Sequence, residues 1–363
     1  PSALARLTPR TLAGPRLGEL LAALVTAPAQ ARLRNDRPAA ITPTADYTQR
    51  GDVQEFIAEV AARNHFEPAE LTRLIEQARH APAVLRLIAP PTATFKRSWA
   101  AYRERFLDPV RITGGVAFWQ ENEAALERAT RQFGVPPEIV VAIIGVETLY
   151  GKITGKFRIL DALVTLGFDD PRRAAYFRSE LEQFLVWTHD SGIDPLSVLG
   201  SYAGAIGLPQ FMPGSIRNFA VDFDGDGVIR LRDSATDAIG SVANFLTAHG
   251  WQAGGPTHFN AVIEDYDRIK PLAKAGIEPS FSSAELARQG VIALPAAPAG
   301  LVLALVDLPN GDDAPSYYLG ARNFFVITRY NRSSFYAMAV LELAQALRQA
   351  RAKPYSGNSP VER

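Results

Sequence analysis

The chain has 363 residues, 47% of them hydrophobic and 21% charged, a composition typical of folded proteins long enough to contain more than one packed unit. Its 38 basic and 38 acidic residues cancel, so the sequence lacks the basic surplus on which dedicated nucleic-acid binders depend. It contains no cysteine, which excludes a disulfide scaffold, a thiolate metal site and a cysteine nucleophile.

The first part of the chain gives few structural signals. No stretch approaches the roughly 20 apolar residues that a membrane-spanning helix needs. The chain begins with Pro1 rather than Met, as expected if a leader or an anchor is removed ahead of it. Residues 1–50 mix Pro, Ala, Arg and Thr, which predicts an N-terminal extension that is wrapped on the core or partly disordered.

Helical periodicity dominates from residue 51. Phe56, Ile57 and Val60 fall on one face of a first predicted helix. The pattern continues over 98–106 and over 116–133, where a glycine follows it. These features predict a helical domain at 51–135.

Strand signals come late in the chain. Residues 254–320 are rich in Pro, Gly and short apolar runs, which predicts a small β-containing domain. Residues 321–363 are expected to complete the core with a C-terminal helix over 333–353, which has a stripe at Val340, Leu343, Ala344 and Leu347. With a core domain at 136–253, the predicted fold is mainly α (α+β).

Residues 136–151 form the most informative segment. Two prolines suit a helix start and a glycine suits its end. Val140, Ile143, Ile144 and Glu147 fall at i, i+3, i+4 and i+7, so Glu147 continues an apolar stripe that faces the core. An unpaired buried carboxyl keeps its proton and can donate it to a leaving oxygen. The alternatives are that Glu147 pairs with an Arg or Lys, or reaches solvent at the helix end.

Two further blocks carry groups that suit sugar binding. Ser201 and Gln210 bound a run of small residues that lets a substrate approach closely, and their side chains can bond sugar hydroxyls. Tyr330, Asn331 and Tyr336 bring aromatic faces and an amide together before a helix. Taken singly, the first block also fits a tight turn, and the second fits a helix cap with core aromatics.

Residues 222–229 reproduce the start of an EF-hand loop, with a glycine at position 6 and the carbonyl of Val228 at position 7. The carboxylates at positions 1, 3 and 5 are Asp222, Asp224 and Asp226. Carboxylates this close repel one another without a cation, so the loop predicts a Ca²⁺ site. Asp233 stands at position 12 in place of the usual Glu. Because the loop is solitary, we expect a structural site rather than a calcium sensor.

Together, the three blocks that contain Glu147, Ser201 and Tyr330 resemble the lytic murein transglycosylase B family, in unbroken order from about residue 52 to residue 347. The resemblance implies a lysozyme-like α-helical core with a flanking helical domain and a small β-containing insert. It also implies cleavage of the β-1,4 bond between N-acetylmuramic acid and N-acetylglucosamine. In the reaction that the resemblance implies, the muramyl 6-hydroxyl would attack without water and give a 1,6-anhydro product, with Glu147 acting first as acid and then as base.

The resemblance also implies roles for individual residues. Sugar subsites would be lined by Ser201, Gln210, Tyr330, Asn331 and Tyr336. Tyr102 would lie in the cleft, as would Phe245 where the family tends to have a tyrosine. Arg172 and Arg173 would reach the stem peptide, although they also fit a solvated helix face. Asp237 would close the metal loop, whereas Asp233 remains possible and Ser234 with Asp237 also fits a capping box.

The expected partners are peptidoglycan glycan strands with their stem peptides, with wall-synthesis enzymes as further candidates. We expect a monomer in the bacterial periplasm or cell envelope, with an outer-membrane anchor as one form, and no organic cofactor. The alternatives are a hydrolytic muramidase, a non-catalytic peptidoglycan-binding protein and a calcium sensor.

Overall fold

The structure is a computed structural model that describes residues 47–90 and 96–352. The expected N-terminal extension therefore lies almost wholly outside the described residues. Its last part, Tyr47–Gln49, forms a short 3-10 helix with Tyr47 and Thr48 buried.

The described residues are mainly helical. The first seven α-helices are α1 Gly51–Asn64, α2 Pro68–Ile75, α3 Pro82–Leu87, α4 Trp99–Glu104, α5 Pro109–Glu121, α6 Glu123–Phe133 and α7 Pro137–Thr148. The others are α8 Ile159–Asp169, α9 Ala174–Asp190, α10 Pro213–Phe219, α11 Ala235–Ala248, α12 Lys270–Lys274, α13 Ser283–Arg288, α14 Arg322–Tyr330 and α15 Ser334–Ala352. None of these helices is both long and apolar enough to cross a membrane.

A small antiparallel sheet completes the fold. Two short strands, β1 Phe157–Arg158 and β2 Leu199–Gly200, pair within the helical part. The remaining strands are β3 His258–Ile263, β4 Phe281–Ser282, β5 Val291–Leu294, β6 Val302–Asn310 and β7 Asp313–Gly320. They form one sheet in the order β4-β6-β7-β3-β5, so all five lie within the stretch for which the composition predicts strands.

One predicted helical stretch is divided in two. The pattern over 116–133 suggests an unbroken helix, but α5 ends at Glu121 and α6 begins at Glu123. Between them, Asn122 turns its amide back onto the carbonyl of Phe118 at 2.8 Å, which competes with continued helix. At the other end of α6, Gly134 adopts the left-handed conformation with φ 70°, as predicted for a helix stop.

Helix α7 lies at the centre of the helical core. It packs against α15 and α5, and also against α11 and α6. The apolar stripe predicted from the sequence is buried, with Val140, Ile143 and Ile144 fully inaccessible to solvent. The mainly α fold with a small sheet agrees with the prediction, and α7 presents its C-terminal end, which carries Glu147, at the edge of this core.

Candidate active site

Glu147 lies in the last turn of α7, between buried Val146 and Thr148. The hydroxyl of Tyr336 donates to its Oε1 at 2.7 Å. Burial raises the pKa of Glu147 to about 7, against an opposing, smaller effect of the hydrogen bond from Tyr336. In the described residues no Arg or Lys is paired with it. The carboxyl can therefore hold a proton close to neutral pH.

Tyr336 is fully enclosed and offers no surface to a sugar in this structure. Its ring is nearly parallel to that of Tyr330, with centroids 6.2 Å apart and an interplanar angle of 10°. Tyr330 is only partly buried, and its hydroxyl donates to the carbonyl of Pro209 at 2.5 Å. The two aromatic residues thus differ: Tyr336 contacts the carboxyl, whereas Tyr330 reaches the 201–210 loop.

Two polar groups in this region have no hydrogen-bond partner among the described residues. They are the hydroxyl of Tyr102 and the side-chain oxygen of Asn331, and each residue is 5% exposed. Burial, followed by the nearby Glu147 charge, raises the pKa of Tyr102, so its hydroxyl stays protonated. Unpaired buried polar atoms are costly, and a sugar hydroxyl could supply the missing partners.

The 201–210 loop is tied to the end of α7. Thr148, next to Glu147, donates through its hydroxyl to the carbonyl of Leu208 at 3.0 Å. Within the loop, Ser201 Oγ accepts from the Ala205 amide at 3.0 Å, and Gln210 Nε2 donates to Gly207 O at 2.8 Å. Ser201 and Gln210 are both partly exposed, and each also forms a hydrogen bond within the loop.

Phe245 belongs to an aromatic cluster behind Tyr330. It is 5% exposed, and its ring lies 4.9 Å from that of Tyr330 and 4.1 Å from that of His249, measured between centroids. Phe245 therefore supports the ring of Tyr330 and presents little surface of its own.

Three carboxylates of the EF-hand-like segment converge. Asp222, Asp224 and Asp237 each offer one oxygen, and these oxygens lie within 4.8 Å of one another. Asp237 is fully buried, and its carboxylate accepts from the amides of Phe223 and Arg230, both at 2.8 Å. A set made only of oxygen donors suits a hard cation such as Ca²⁺.

The other residues proposed for this loop lie differently. Asp233 is exposed and outside the group of three. Asp226 forms an ion pair with Arg230, and it accepts from the Val228 amide at 2.9 Å. Ser234 caps α11 by accepting from the Asp237 amide, but the Asp237 carboxylate bonds the loop instead of completing a capping box.

Comparison with known proteins places the chain in a family. Residues 48–345 match the family model described as Transglycosylase SLT domain. The chain is 43% identical over 318 residues to membrane-bound lytic murein transglycosylase B of Escherichia coli K12, covering 84% of this chain and 85% of that protein. The chain belongs to the lytic transglycosylase family. It is an enzyme that cleaves peptidoglycan.

Solved structures agree with this assignment of the transglycosylase. Catenated SltB1 from Pseudomonas aeruginosa, 43% identical, superposes with a TM-score of 0.79, covering 85% of this chain and all of that one. E. coli Slt35 in complex with calcium is 40% identical and superposes with a TM-score of 0.74, covering 88% of this chain and all of that one. P. aeruginosa SltB3 with NAG-anhNAM-pentapeptide is 29% identical and superposes with a TM-score of 0.69, covering 84% of this chain and 80% of that one. The lysozyme-like fold class is thereby confirmed.

The two arginines of the transglycosylase that were expected at the stem peptide have different surroundings. Arg172 is exposed, and its Nε lies 3.4 Å from Asp170 Oδ1. The side chain of Arg173 is only 7% exposed, lies 3.8 Å from Asp170 Oδ2, and has Nε and Nη2 without a hydrogen-bond partner in the described residues. Arg173 is therefore not part of a solvated helix face.

Some contacts of the transglycosylase site have no sequence signal. Arg111 lies outside the three main motif blocks, yet its Nε donates to the carbonyl of Gly145, two residues before Glu147, at 3.0 Å. Tyr150 stands within the motif around Glu147, but the spacing does not show that its hydroxyl bonds the Arg111 carbonyl at 2.9 Å. Only the packing of α5 against α7 brings these groups together.

Proposed function

We propose that the enzyme cleaves the β-1,4 bond between N-acetylmuramic acid and N-acetylglucosamine and releases 1,6-anhydromuramyl products without adding water. The observation that carries this proposal is Glu147, a single carboxyl whose burial raises its pKa to about 7 and which receives a hydrogen bond from Tyr336. The NAG-anhNAM-pentapeptide bound by the relative SltB3 supports the anhydro product.

One carboxyl suffices for this reaction. Protonated Glu147 donates its proton to the bridging oxygen, and the bond between that oxygen and the muramyl anomeric carbon breaks. The resulting carboxylate then accepts the proton of the muramyl 6-hydroxyl, whose oxygen bonds the anomeric carbon. Ordinary glycoside hydrolases use a second carboxylate that activates water or attacks the sugar. In the described residues no acidic group is among those that shift the pKa of Glu147, whose causes are burial and the hydrogen bond from Tyr336.

Product analysis tests the reaction type directly. We expect mass spectrometry of digested peptidoglycan to show muramyl ends that are one water lighter than hydrolytic products and lack a reducing terminus. The same digest made with a hydrolytic lysozyme provides reducing ends as the control. Reducing muramyl ends from this enzyme would show that it is a muramidase and that the second half of the proposed mechanism is wrong.

The Tyr336 hydroxyl should shift the pH dependence of the first step. Because its hydrogen bond stabilises the Glu147 carboxylate, the Tyr336→Phe variant should raise the pKa of Glu147 and move the loss of activity at alkaline pH to higher pH. We expect kcat at the new optimum to fall about tenfold, because the orientation of the acid is lost.

Tyr330→Phe is the matched control for this variant. It removes the same atom from the neighbouring ring, but that hydroxyl bonds Pro209 O rather than Glu147. Its pH profile should keep the alkaline midpoint of the wild type. A midpoint that stays in place or moves to lower pH in Tyr336→Phe would contradict the proposed role of Tyr336.

We propose that the substrate lies against the partly exposed residues Ser201, Gln210 and Tyr330, with the unpaired polar atoms of Tyr102 and Asn331 bonded to sugar hydroxyls. Phe245 supports this wall through Tyr330. Arg172 and Arg173 are assigned to carboxylates of the stem peptide, because Arg173 has buried N–H groups that lack partners. The pentapeptide-bearing ligands of SltB3 support a substrate of this kind.

We propose that Asp222, Asp224 and Asp237 hold a structural Ca²⁺, with Asp226 and the Val228 carbonyl completing the loop. The oxygen donors that converge in this chain and the calcium complex of Slt35 support this assignment. The ion would offset the repulsion of the clustered carboxylates and stabilise the start of α11. It takes no part in the bond-breaking steps.

Several broader assignments also remain proposals. We assign residues 51–135 to a helical domain, 136–253 to the catalytic core and 254–320 to the β-containing domain. The C-terminal helix that completes the core is assigned to 321–363, of which 353–363 lie outside the described residues. A separate apolar cluster within the sheet region, which includes Leu303, supports the division. The membrane-bound E. coli relative supports placing the enzyme in the cell envelope.

A further inference from the structure

Helix α7 ends in an unusual turn directly after Glu147. Leu149, Tyr150 and Gly151 adopt left-handed φ angles of 51°, 60° and 86° in succession. Glycine takes this conformation readily, but leucine and tyrosine do so only at a cost, because their Cβ atoms crowd the backbone. The surrounding structure must therefore stabilise this turn, and strained backbone of this kind concentrates at functional sites.

Tyr150 and Arg111 supply that stabilisation through reciprocal contacts between α5 and α7. The Tyr150 hydroxyl donates to the carbonyl of Arg111 at 2.9 Å. In return, the Arg111 guanidinium donates through Nε to the carbonyl of Gly145 at 3.0 Å. Asp108 fixes the same guanidinium by accepting from Nη1 at 2.5 Å. The last turn of α7, which carries Glu147, is thus held from both of its ends.

Glycines create the space in which Tyr150 lies. A Cβ atom at Gly145 would lie only 2.5 Å from the Tyr150 hydroxyl oxygen, and one at Gly115 on α5 would be nearer still. The Tyr150 ring also packs on Phe118, with centroids 5.5 Å apart and an interplanar angle of 30°. The tyrosine therefore fits a slot between the two helices that larger residues at these positions would close.

We propose that Tyr150 and Arg111 are positioning residues of the transglycosylase: their paired hydrogen bonds fix where α7 ends and thereby aim the carboxyl of Glu147 at the scissile oxygen. Neither residue needs to contact the substrate. The inference rests on the proposed catalytic role of Glu147. It predicts an effect on the chemical step rather than on binding, because the contacts act on the helix that carries the acid.

The test is the Tyr150→Phe variant, which keeps the ring and removes only the hydroxyl. We expect kcat per folded molecule to fall about tenfold with KM within about twofold of the wild type, because small displacements of a catalytic group slow the chemical step. Relaxation of the turn lets water reach Glu147 and lowers its pKa, so the alkaline limb of the pH profile should move to lower pH.

Tyr47→Phe is the matched control. Tyr47 is also buried, at 1% exposure, and its hydroxyl donates to Asp169 Oδ2 at 2.6 Å, so the variant loses a comparable bond elsewhere in the fold. It should lower the melting temperature while leaving kcat and the alkaline limb unchanged. If Tyr150→Phe also lowers only the melting temperature, its role is structural and the inference is wrong.

A second variant covers the case in which Tyr150→Phe does not fold. Arg111→Lys keeps the charge but cannot bond the Gly145 carbonyl and the Asp108 carboxylate at the same time. It should therefore reproduce both the lower kcat and the shift of the alkaline limb of the pH profile to lower pH. The control Arg103→Lys alters an ion pair with Glu342 and should change neither kcat nor the alkaline limb. An active Glu147→Gln enzyme would overturn the proposed function itself. If Glu147→Gln is inactive but Tyr150→Phe and Arg111→Lys both keep the wild-type kcat, only the positioning role is overturned.

Discussion

The Glu147→Gln variant is expected to lose about 10³-fold in kcat, because loss of a general acid that also serves as base commonly removes about 10²–10⁴-fold of rate. Glutamine has the same shape, and its side-chain oxygen can still accept from Tyr336, as Oε1 of Glu147 does at 2.7 Å. Folding and glycan affinity should therefore be preserved. Thermal unfolding, calorimetric titration with a peptidoglycan fragment and turnover of the same fragment measure the three properties separately.

Glu180→Gln is the control that separates the loss of a catalytic acid from the loss of any buried carboxyl. Burial also raises the pKa of Glu180, but its Oε2 accepts from the Gly214 amide at 2.8 Å, at the start of α10. The same substitution there should leave turnover unchanged. A Glu147→Gln enzyme with more than about one-tenth of wild-type turnover would be incompatible with a general acid at this position.

The pH profile of the wild type is part of the same expectation. Because Glu147 must be protonated to begin the reaction and its pKa is about 7, turnover should fall as the pH rises through this value. A general acid with an ordinary carboxyl pKa would lose activity at much lower pH. Measurement of kcat from pH 5 to pH 9 therefore reports whether burial sets the working range.

Much of α7 could be predicted because its signals are local. Pro137 sets the start, and the stripe through Val140 and Ile143 to Glu147 identifies the buried face; the structure agrees with both features. The composition of residues 254–320 likewise predicted the strands, and β3 to β7 lie within this stretch. Periodicity and turn residues act over a few positions, so a single sequence displays them directly.

The end of α7 could not be predicted in the same way. The glycine at 151 suggests a stop there, but the helix ends at Thr148, since Leu149 and Tyr150 are already left-handed. The contact that we infer to fix this end lies on another helix, where the carbonyl of Arg111 accepts a hydrogen bond from the Tyr150 hydroxyl. Tertiary contacts of this kind leave no mark on local periodicity.

The geometry of the site required the same long-range information. The motif around Glu147 and the 201–210 loop are distant in sequence, but the hydroxyl of Thr148 joins them at Leu208. The burial of Tyr336 and its bond to Glu147 likewise depend on how α15 packs on α7. The residue types predict groups that suit sugar binding, whereas which of them are exposed and which are enclosed depends on the three-dimensional packing.

The metal loop gives the second large expected effect. Asp237→Asn should destabilise the protein strongly, because the buried carboxylate accepts from the amides of Phe223 and Arg230, and an asparagine would turn an N–H donor toward one of them. Leaving one buried amide unpaired costs about 1–3 kcal/mol. Loss of the ion adds about 2.7 kcal/mol when free calcium stands at 100 times its dissociation constant.

Thermal unfolding in calcium and in chelator separates these two contributions. The wild type should melt at a higher temperature in calcium than in chelator. In chelator, Asp237→Asn should melt at a lower temperature than the wild type, and calcium should not raise its melting temperature. Asp233→Asn is the matched control: this exposed carboxylate stands only four residues earlier but outside the converging group, so its variant should gain as much from calcium as the wild type. If Asp233→Asn lost the gain and Asp237→Asn kept it, position 233 would close the loop, and the buried carboxylate at 237 would serve only the backbone.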